Sequence, residues 1–202
     1  LRKAYDISKE LEEIAAMESV LDNNMTFATY SSGDKLSSPY KGSDSDYVVG
    51  DCYGPRNDNR YHDGIDLNHL QNNQAPLYAL ADGIVVVSKM PAGDDPNSYL
   101  VMWHPHLPCF GNGPGSIVYL HATNLPAEGT KLRKGDKVGN QGNLGRKVPY
   151  HLHMEVWMGA QGVHNRIDPA VCLSLTKRNI ELDLAFKRHK QHYKAKSKNR
   201  PY

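Results

Sequence analysis

Long apolar runs are missing from this 202-residue sequence, and no stretch approaches the roughly 18 consecutive apolar residues that a membrane span needs. Nothing in it therefore reads as a transmembrane helix. Aromatic side chains are sparse at 8%, and hydrophobic residues reach 39%, enough for one well-buried domain with appendages but a squeeze for two. Cysteine is scarce as well. Cys52, Cys109 and Cys172 are too widely spaced for a zinc knuckle and leave at least one thiol unpaired; a single disulfide is compatible with them, and the spacing does not decide it. The chain opens at Leu1 on a charged segment, so neither an intact signal peptide nor a cytosolic start is expected. Turn residues are plentiful. The 17 glycines and 12 prolines, concentrated between short apolar runs, favour an all-β body over a helical bundle.

Net charge is +2 but unevenly spread. Residues 177–202 hold nine Lys/Arg against Glu181 and Asp183, a local charge of +7, which leaves −5 on the rest. Ala4, Ile7, Leu11, Ile14, Met17 and Leu21 recur every three or four positions without Gly or Pro, which predicts an amphipathic helix. Its stripe is expected to pack on the body or on a preceding segment, with a partner-helix seam as the alternative. Ser31 to Asp34 reads as a linker. A second helical pattern runs from about Leu175 to Lys190, and Lys187–Arg200 reads as a solvated basic end with a contact to an anionic polymer as the alternative. The expected organisation is an N-terminal helix and linker over 1–36, a main domain over 37–173 and a helical, basic tail over 174–202.

Within the main domain the expected strands are Val48-Val49, Ile65–Leu67, Leu77–Leu80, Gly83–Ser88, Tyr99–Trp103, Ser116–His121, Lys137–Gly139 and His151–Met158. Asp82-Gly83 predicts a hairpin turn, and 104–115, rich in Pro and Gly, an irregular loop. The fold class is mostly β: an antiparallel sandwich or barrel-like hybrid, with a helix before it and the helical basic tail after it.

Chemistry concentrates in three places. In the alternating run from His151 to Trp157, His151 and His153 share one strand face while Leu152 and Met154 pack on the other. Val156 is assigned to the histidine face and Trp157 to the side of Met154. In His62-Asp63-Gly64-Ile65-Asp66, Gly64 argues against a helix, and an even spacing lets His62 and Asp66 face the same way in an extended chain. Two histidines and a carboxylate form a catalytic zinc set that keeps a fourth position open for water. His62, Asp66 and one histidine of the strand pair would complete it, although each short motif alone is common by chance. The third place is His121, closing an apolar strand 30 residues before His151. His104-Pro105-His106 repeats the spacing of His151 and His153, but Pro105 would disrupt a ladder, so these two are expected at the surface or a strand end. His69, His164, His189 and His192 show no partner pattern.

The order His-x-x-x-Asp, a strand ending Tyr-x-His, and a glycine-rich turn leading to His-x-His-x-Glu resembles the lysostaphin/LytM-type zinc endopeptidases of peptidoglycan, with the duplicated hybrid motif fold. The resemblance is collinear from Ser38 to Leu173. It includes entry segments at Ser38–Tyr40 and Asp51–Gly54, the stretch Pro76–Val85, the turn from Gly129 to Gly145 and the exit Ile167-Asp168-Pro169. It implies that His62, Asp66 and His153 hold one zinc ion while His121 and His151 stay off the metal as catalytic bases or oxyanion donors. It also implies a peptide of peptidoglycan, stem or cross-bridge, as substrate, and a periplasmic, cell-surface, extracellular or virion-associated location. No nucleic-acid partner is expected. Activity should fall as pH drops through the histidine range, because a ligand imidazole binds metal only when neutral. Glu155 is expected either to orient an imidazole or to be an ordinary structural carboxylate. Arg146-Lys147-Val148-Pro149-Tyr150 stands where the family commonly has Ser-Thr-Gly, and loop 104–115 is longer than usual; Arg146 and Lys147 would favour an anionic stem-peptide carboxylate. Alternatives are a catalytically silent wall-binding or hydrolase-activating scaffold, and the same enzyme within a phage tail or secretion machine.

Overall fold

The computed structural model describes residues 27–31, 33–41, 46–56, 60–145, 148–159 and 166–174. Both helical expectations, the basic end Lys187–Arg200, Arg146, Lys147, His164, His189 and His192 lie outside them. No helix among the described residues is long and apolar enough to cross a membrane.

Among the described residues twelve strands run in chain order: β1 Tyr47–Asp51, β2 Gly54–Pro55, β3 Tyr61–His62, β4 Ile65–His69, β5 Pro76–Tyr78 and β6 Gly83–Lys89. They continue with β7 Tyr99–Leu107, β8 Gly113–Leu120, β9 Lys131–Leu132, β10 Lys137–Asn140, β11 Leu152–Met158 and β12 Arg166–Ile167. The main antiparallel sheet has the order β1-β4-β11-β8-β7-β6-β9, and β12 pairs with β11 beyond the end of β4. Two ribbons, β5 with β10 and β2 with β3, complete the described residues. The fold is thus mostly antiparallel β, as expected.

The core fills one side of the main sheet. Leu100 and Met102 of β7, Ile117 and Tyr119 of β8, and Leu152, Met154 and Val156 of β11 bury there with Leu77 of β5 and Val138 of β10. Alternation in β11 therefore continues to its end: Val156 joins the core, and Trp157 clusters with Val101 and Val118 in a separate group. This reverses the expectation for both residues. The pairing of β11 with β8 advances one residue at a time from His153 opposite Leu120 to Met158 opposite Gly115, so no bulge shifts the phase. Burying each apolar side chain contributes roughly 1.5–3 kcal/mol, and a one-residue slip would exchange three of them for His153, Glu155 and Trp157. That cost fixes which way the imidazoles face.

Two local expectations fail. Asp82-Gly83 makes no hairpin, since β5 pairs with β10 while β6 pairs with β7 and β9. Asp82 instead accepts hydrogen bonds from the backbone N–H groups of Ala28 and Lys134 and from Arg133. The stretch 104–115 is no irregular loop: β7 runs through Leu107, a 3-10 turn spans Pro108–Phe110, and β8 starts at Gly113. Pro105 fits because pairing is interrupted between His104 and Leu107, where a missing N–H costs nothing. Gly115 lets Phe110 fold back, as a Cβ there would meet its ring at 2.6 Å. His104 is fully buried, so the surface reading fails for it.

The tip of this arm is fastened at the end of the domain. Cys109 and Cys172 form a disulfide, and the buried Cys52 stands outside it. Leu36 N–H donates to the Cys172 carbonyl at 2.8 Å, and Ser174 N–H to the Leu36 carbonyl at 2.7 Å. Asn112 takes the Tyr30 N–H at 2.6 Å and returns a bond from its amide to the Tyr30 carbonyl.

Candidate metal centre and proton-handling pair

The site forms where β4, β11 and the end of β8 meet the β2–β3 ribbon. His62 ends β3, and Asp66 lies on β4 directly opposite His153 of β11. His121 follows β8 in a left-handed conformation at φ 63°, and His151 bridges to Gly142 just before β11. A left-handed conformation at a non-glycine residue costs energy that the surrounding structure must supply, here at the point where the imidazole turns into the cavity. Gly64 is dictated by crowding. A Cβ would stand 2.3 Å from the Met154 carbonyl oxygen and 2.8 Å from His153 Nε2, so the β3–β4 turn presses on β11 only if this residue has no side chain.

Outer partners set the direction of each ring. His62 Nδ1–H donates to the Cys52 carbonyl at 2.8 Å, which leaves Nε2 bare and facing inward. His153 Nε2–H donates to Glu155 Oε1 at 3.2 Å, which leaves Nδ1 bare. His62 Nε2 and His153 Nδ1 are 2.9 Å apart, and Asp66 Oδ1 lies 3.0 and 2.9 Å from them. With both rings neutral three lone pairs converge there, an arrangement that is repulsive until a proton or a metal ion joins it. Donor atoms sharing one zinc at about 2.0–2.1 Å stand roughly 3–3.5 Å apart, so these residues fit such an ion in type, number and spacing. Among the described residues they are the one His/Cys/Asp/Glu group whose ligand atoms converge within 4.8 Å.

Electrostatics express the same demand for positive charge. Burial alone would push the His153 imidazole down, but hydrogen bonds with Asp66 and Glu155 outweigh it and raise the metal-free group to about 9. Burial also opposes ionisation of Asp66, yet His153 and His62 hold it well below the usual carboxylate range. Glu155 is lowered against its own desolvation by His153, Arg166 and the Trp157 N–H. The network beyond His153 is fully engaged: Glu155 Oε2 accepts from Trp157 Nε1 and Arg166 Nε, both at 2.7 Å.

The other two imidazoles keep their distance from the ligand triangle. His121 Nδ1–H donates to the Leu144 carbonyl at 2.9 Å and His151 Nδ1–H to Pro149 at 2.8 Å, so each has a bare Nε2. Their ring centroids are 4.7 Å apart, and His151 Nε2 is 3.7 Å from Asp66 Oδ1. Burial pushes His121 below the ordinary imidazole range, which favours its neutral form near pH 7. All five candidates line one cavity of about 420 Å³, together with Gly50, Asp51, Arg56, Asn68, Val148 and Pro149.

Three residues of this neighbourhood were not singled out in the sequence. Arg56 pairs with Asp51 at 2.7 Å and approaches Asp66 Oδ2 to 3.6 Å. Asn68 lines the cavity two residues after Asp66, a spacing that could have found it. Arg166 reaches Glu155 from β12. Conversely, His104 donates from Nδ1 to the Asp82 carbonyl and His106 faces the Asn112 carbonyl, away from the cavity lining.

A family model, peptidase family M23, matches residues 60–169. An uncharacterized metalloprotease of Buchnera aphidicola subsp. Baizongia pistaciae is 25% identical over 130 residues, 63% of this chain. The match takes in only 31% of that relative's length. A zinc-containing peptidase from Vibrio cholerae shares the fold with a TM-score of 0.50 at 24% identity, over 67% of this chain and 39% of that one. The catalytic domain of the antimicrobial peptidase lysostaphin from Staphylococcus simulans does so with a TM-score of 0.50 at 21% identity, over 63% and 92% respectively.

Proposed function

The chain belongs to peptidase family M23, and from that premise we propose that it is a zinc metalloendopeptidase whose 37–173 domain hydrolyses peptide bonds of peptidoglycan. The observation that carries the reading is the convergence of three bare donor atoms, from His62, Asp66 and His153, beside two further imidazoles in one cavity. His62, Asp66 and His153 would hold the ion. A zinc ion bound there supplies Lewis acidity toward a peptide carbonyl and lowers the pKa of water to about 7.

The remaining chemistry falls to the chain itself. Peptide hydrolysis requires a proton to leave the attacking water and another to reach the departing amine. His121 and His151, each anchored through Nδ1–H to a backbone carbonyl, present bare Nε2 atoms that can take and return that proton. Once protonated, the same nitrogen donates to the oxyanion that develops on the carbonyl. Their fixed outer bonds prevent the rings from turning the wrong nitrogen inward.

Peptidoglycan as substrate rests on the collinear motif resemblance from Ser38 to Leu173. A location outside the cytosol is supported by the Cys109–Cys172 disulfide, a bond favoured in oxidising compartments. The test is digestion of sacculi from Gram-negative and Gram-positive walls with zinc-loaded and chelator-stripped protein, with products identified by mass spectrometry. New amino termini from one wall type, lost on stripping and regained with zinc, are expected. Intact sacculi of both types would remove the substrate; equal cleavage by stripped protein would remove the metal.

A further inference from the structure

Arg166 touches none of the five site residues, yet it joins the two chain segments that carry the histidine ligands. Strand β12 lies end to end with β4 along the same edge of β11, with Arg166 opposite Trp157. From there Nε donates to Glu155 Oε2 at 2.7 Å, and Nη1 forms an ion pair with Asp63 Oδ2 at 3.1 Å. The guanidinium also lies over the Trp157 ring, 5.3 Å from its centroid. Glu155 passes the constraint to His153 through its other oxygen, and Asp63 is the immediate neighbour of His62. One planar fork thus reaches toward two ligands that are 91 residues apart in sequence.

We infer that Arg166 is the positioning residue of the ligand set: it locks Glu155 so that His153 keeps its hydrogen on Nε2, and it tethers the His62 turn through Asp63. This inference rests on the reading of His62, Asp66 and His153 as metal ligands. The physical argument concerns freedom of rotation. Glu155 without Arg166 would be held by Trp157 Nε1 and His153 alone, and a turned carboxylate would let His153 carry its hydrogen on Nδ1, pointed at His62 Nε2. That tautomer has no lone pair to offer. Partners of this kind, one bond removed from a metal, typically change affinity about 10–100-fold when lost. Lysine substitutes only in part, because a single ammonium keeps the charge but lacks the fork that spans two carboxylates while stacking on an indole.

The test uses the full chain and reads zinc affinity by competition with a fluorescent chelator, beside circular dichroism and melting of the metal-free proteins. His153→Ala should lose zinc. Arg166→Gln and Glu155→Gln should each weaken zinc binding about 10–100-fold, Arg166→Lys should fall between Arg166→Gln and wild type, and Arg166→Gln should cost less in the Glu155→Gln background than alone. A merely structural arginine would lower melting without that dependence on Glu155. Wild-type zinc affinity in Arg166→Gln, or fully additive losses in the double variant, overturns the positioning role. Unchanged affinity in His153→Ala overturns the ligand reading instead. If Arg166→Gln does not fold, Glu155→Gln and Asp63→Asn each remove one link and keep the guanidinium; wild-type affinity in both rejects the inference.

Discussion

Two His-x-His pairs belong to one sheet, on β11 and β7 with β8 between them, and they are built for opposite ends. In His151/His153 each ring donates outward, to Pro149 or Glu155, and aims its bare nitrogen at Asp66 or the cavity around it. In His104/His106 the rings donate to two separate carbonyls, Asp82 and Asn112, and the bulge between His104 and Leu107 breaks the ladder that would align them. Spacing is the same in both. What differs is whether the second nitrogen meets other lone pairs or nothing: His104 Nε2 is buried without a partner. Convergence, more than the presence of imidazoles, separates a metal centre from structural histidines.

The largest effect that would break this comparison is on metal. His153→Ala should lose bound zinc and at least about 10³-fold in activity on a cell-wall peptide, whereas His104→Gln should keep full zinc stoichiometry by elemental analysis. Comparable zinc loss in both would mean that the outer pair also serves the centre. A second effect divides the inner pair itself. His151→Ala should retain zinc and lose about 10²–10⁴-fold in turnover, the range for removing a proton-transfer group; zinc loss matching that of His153→Ala would make both histidines ligands.

Much of this was legible in the sequence, for reasons the sheet makes clear. Period-two alternation places His151, His153 and Glu155 correctly, because β11 is paired on both edges and a slip would bury charge. The same alternation fails for Val156 and Trp157 only where it was not carried through. His62, Asp66 and His121 emerge from order along the chain, and all five candidates line one cavity. Features that depend on lateral pairing stayed hidden. Arg166 meets Glu155 because β12 adds to β11 beyond the end of β4, and Arg56 enters the cavity because the β2–β3 ribbon folds over it; neither contact has a periodic trace. Pro105 misled in the other direction. It marks a local interruption within a strand, and the residue before it is buried.

The smallest effect sharpens the contrast through pH, in chelator-treated protein so that no ion contributes. Burial pushes the His104 imidazole down to about 4, against a weaker upward pull from its bond to the Asp82 carbonyl and from the Asp82 charge. Unfolded, it titrates near 6.5. Between those values the unfolded chain gains a proton that the folded chain refuses, so stability falls as pH drops from about 6.5 to 4, by on the order of 3 kcal/mol. His153 runs the other way. Raised to about 9 without metal, its contribution is complete below the unfolded value and is lost as pH rises through 9. Denaturant unfolding across pH 4–10 should therefore show an acid slope that shrinks in His104→Gln, with the buried His121 supplying part of what remains, and an alkaline slope that shrinks in His153→Gln. An acid slope undiminished in His104→Gln would remove His104 as a source of it, and the two pairs would no longer differ in the sign of their proton linkage.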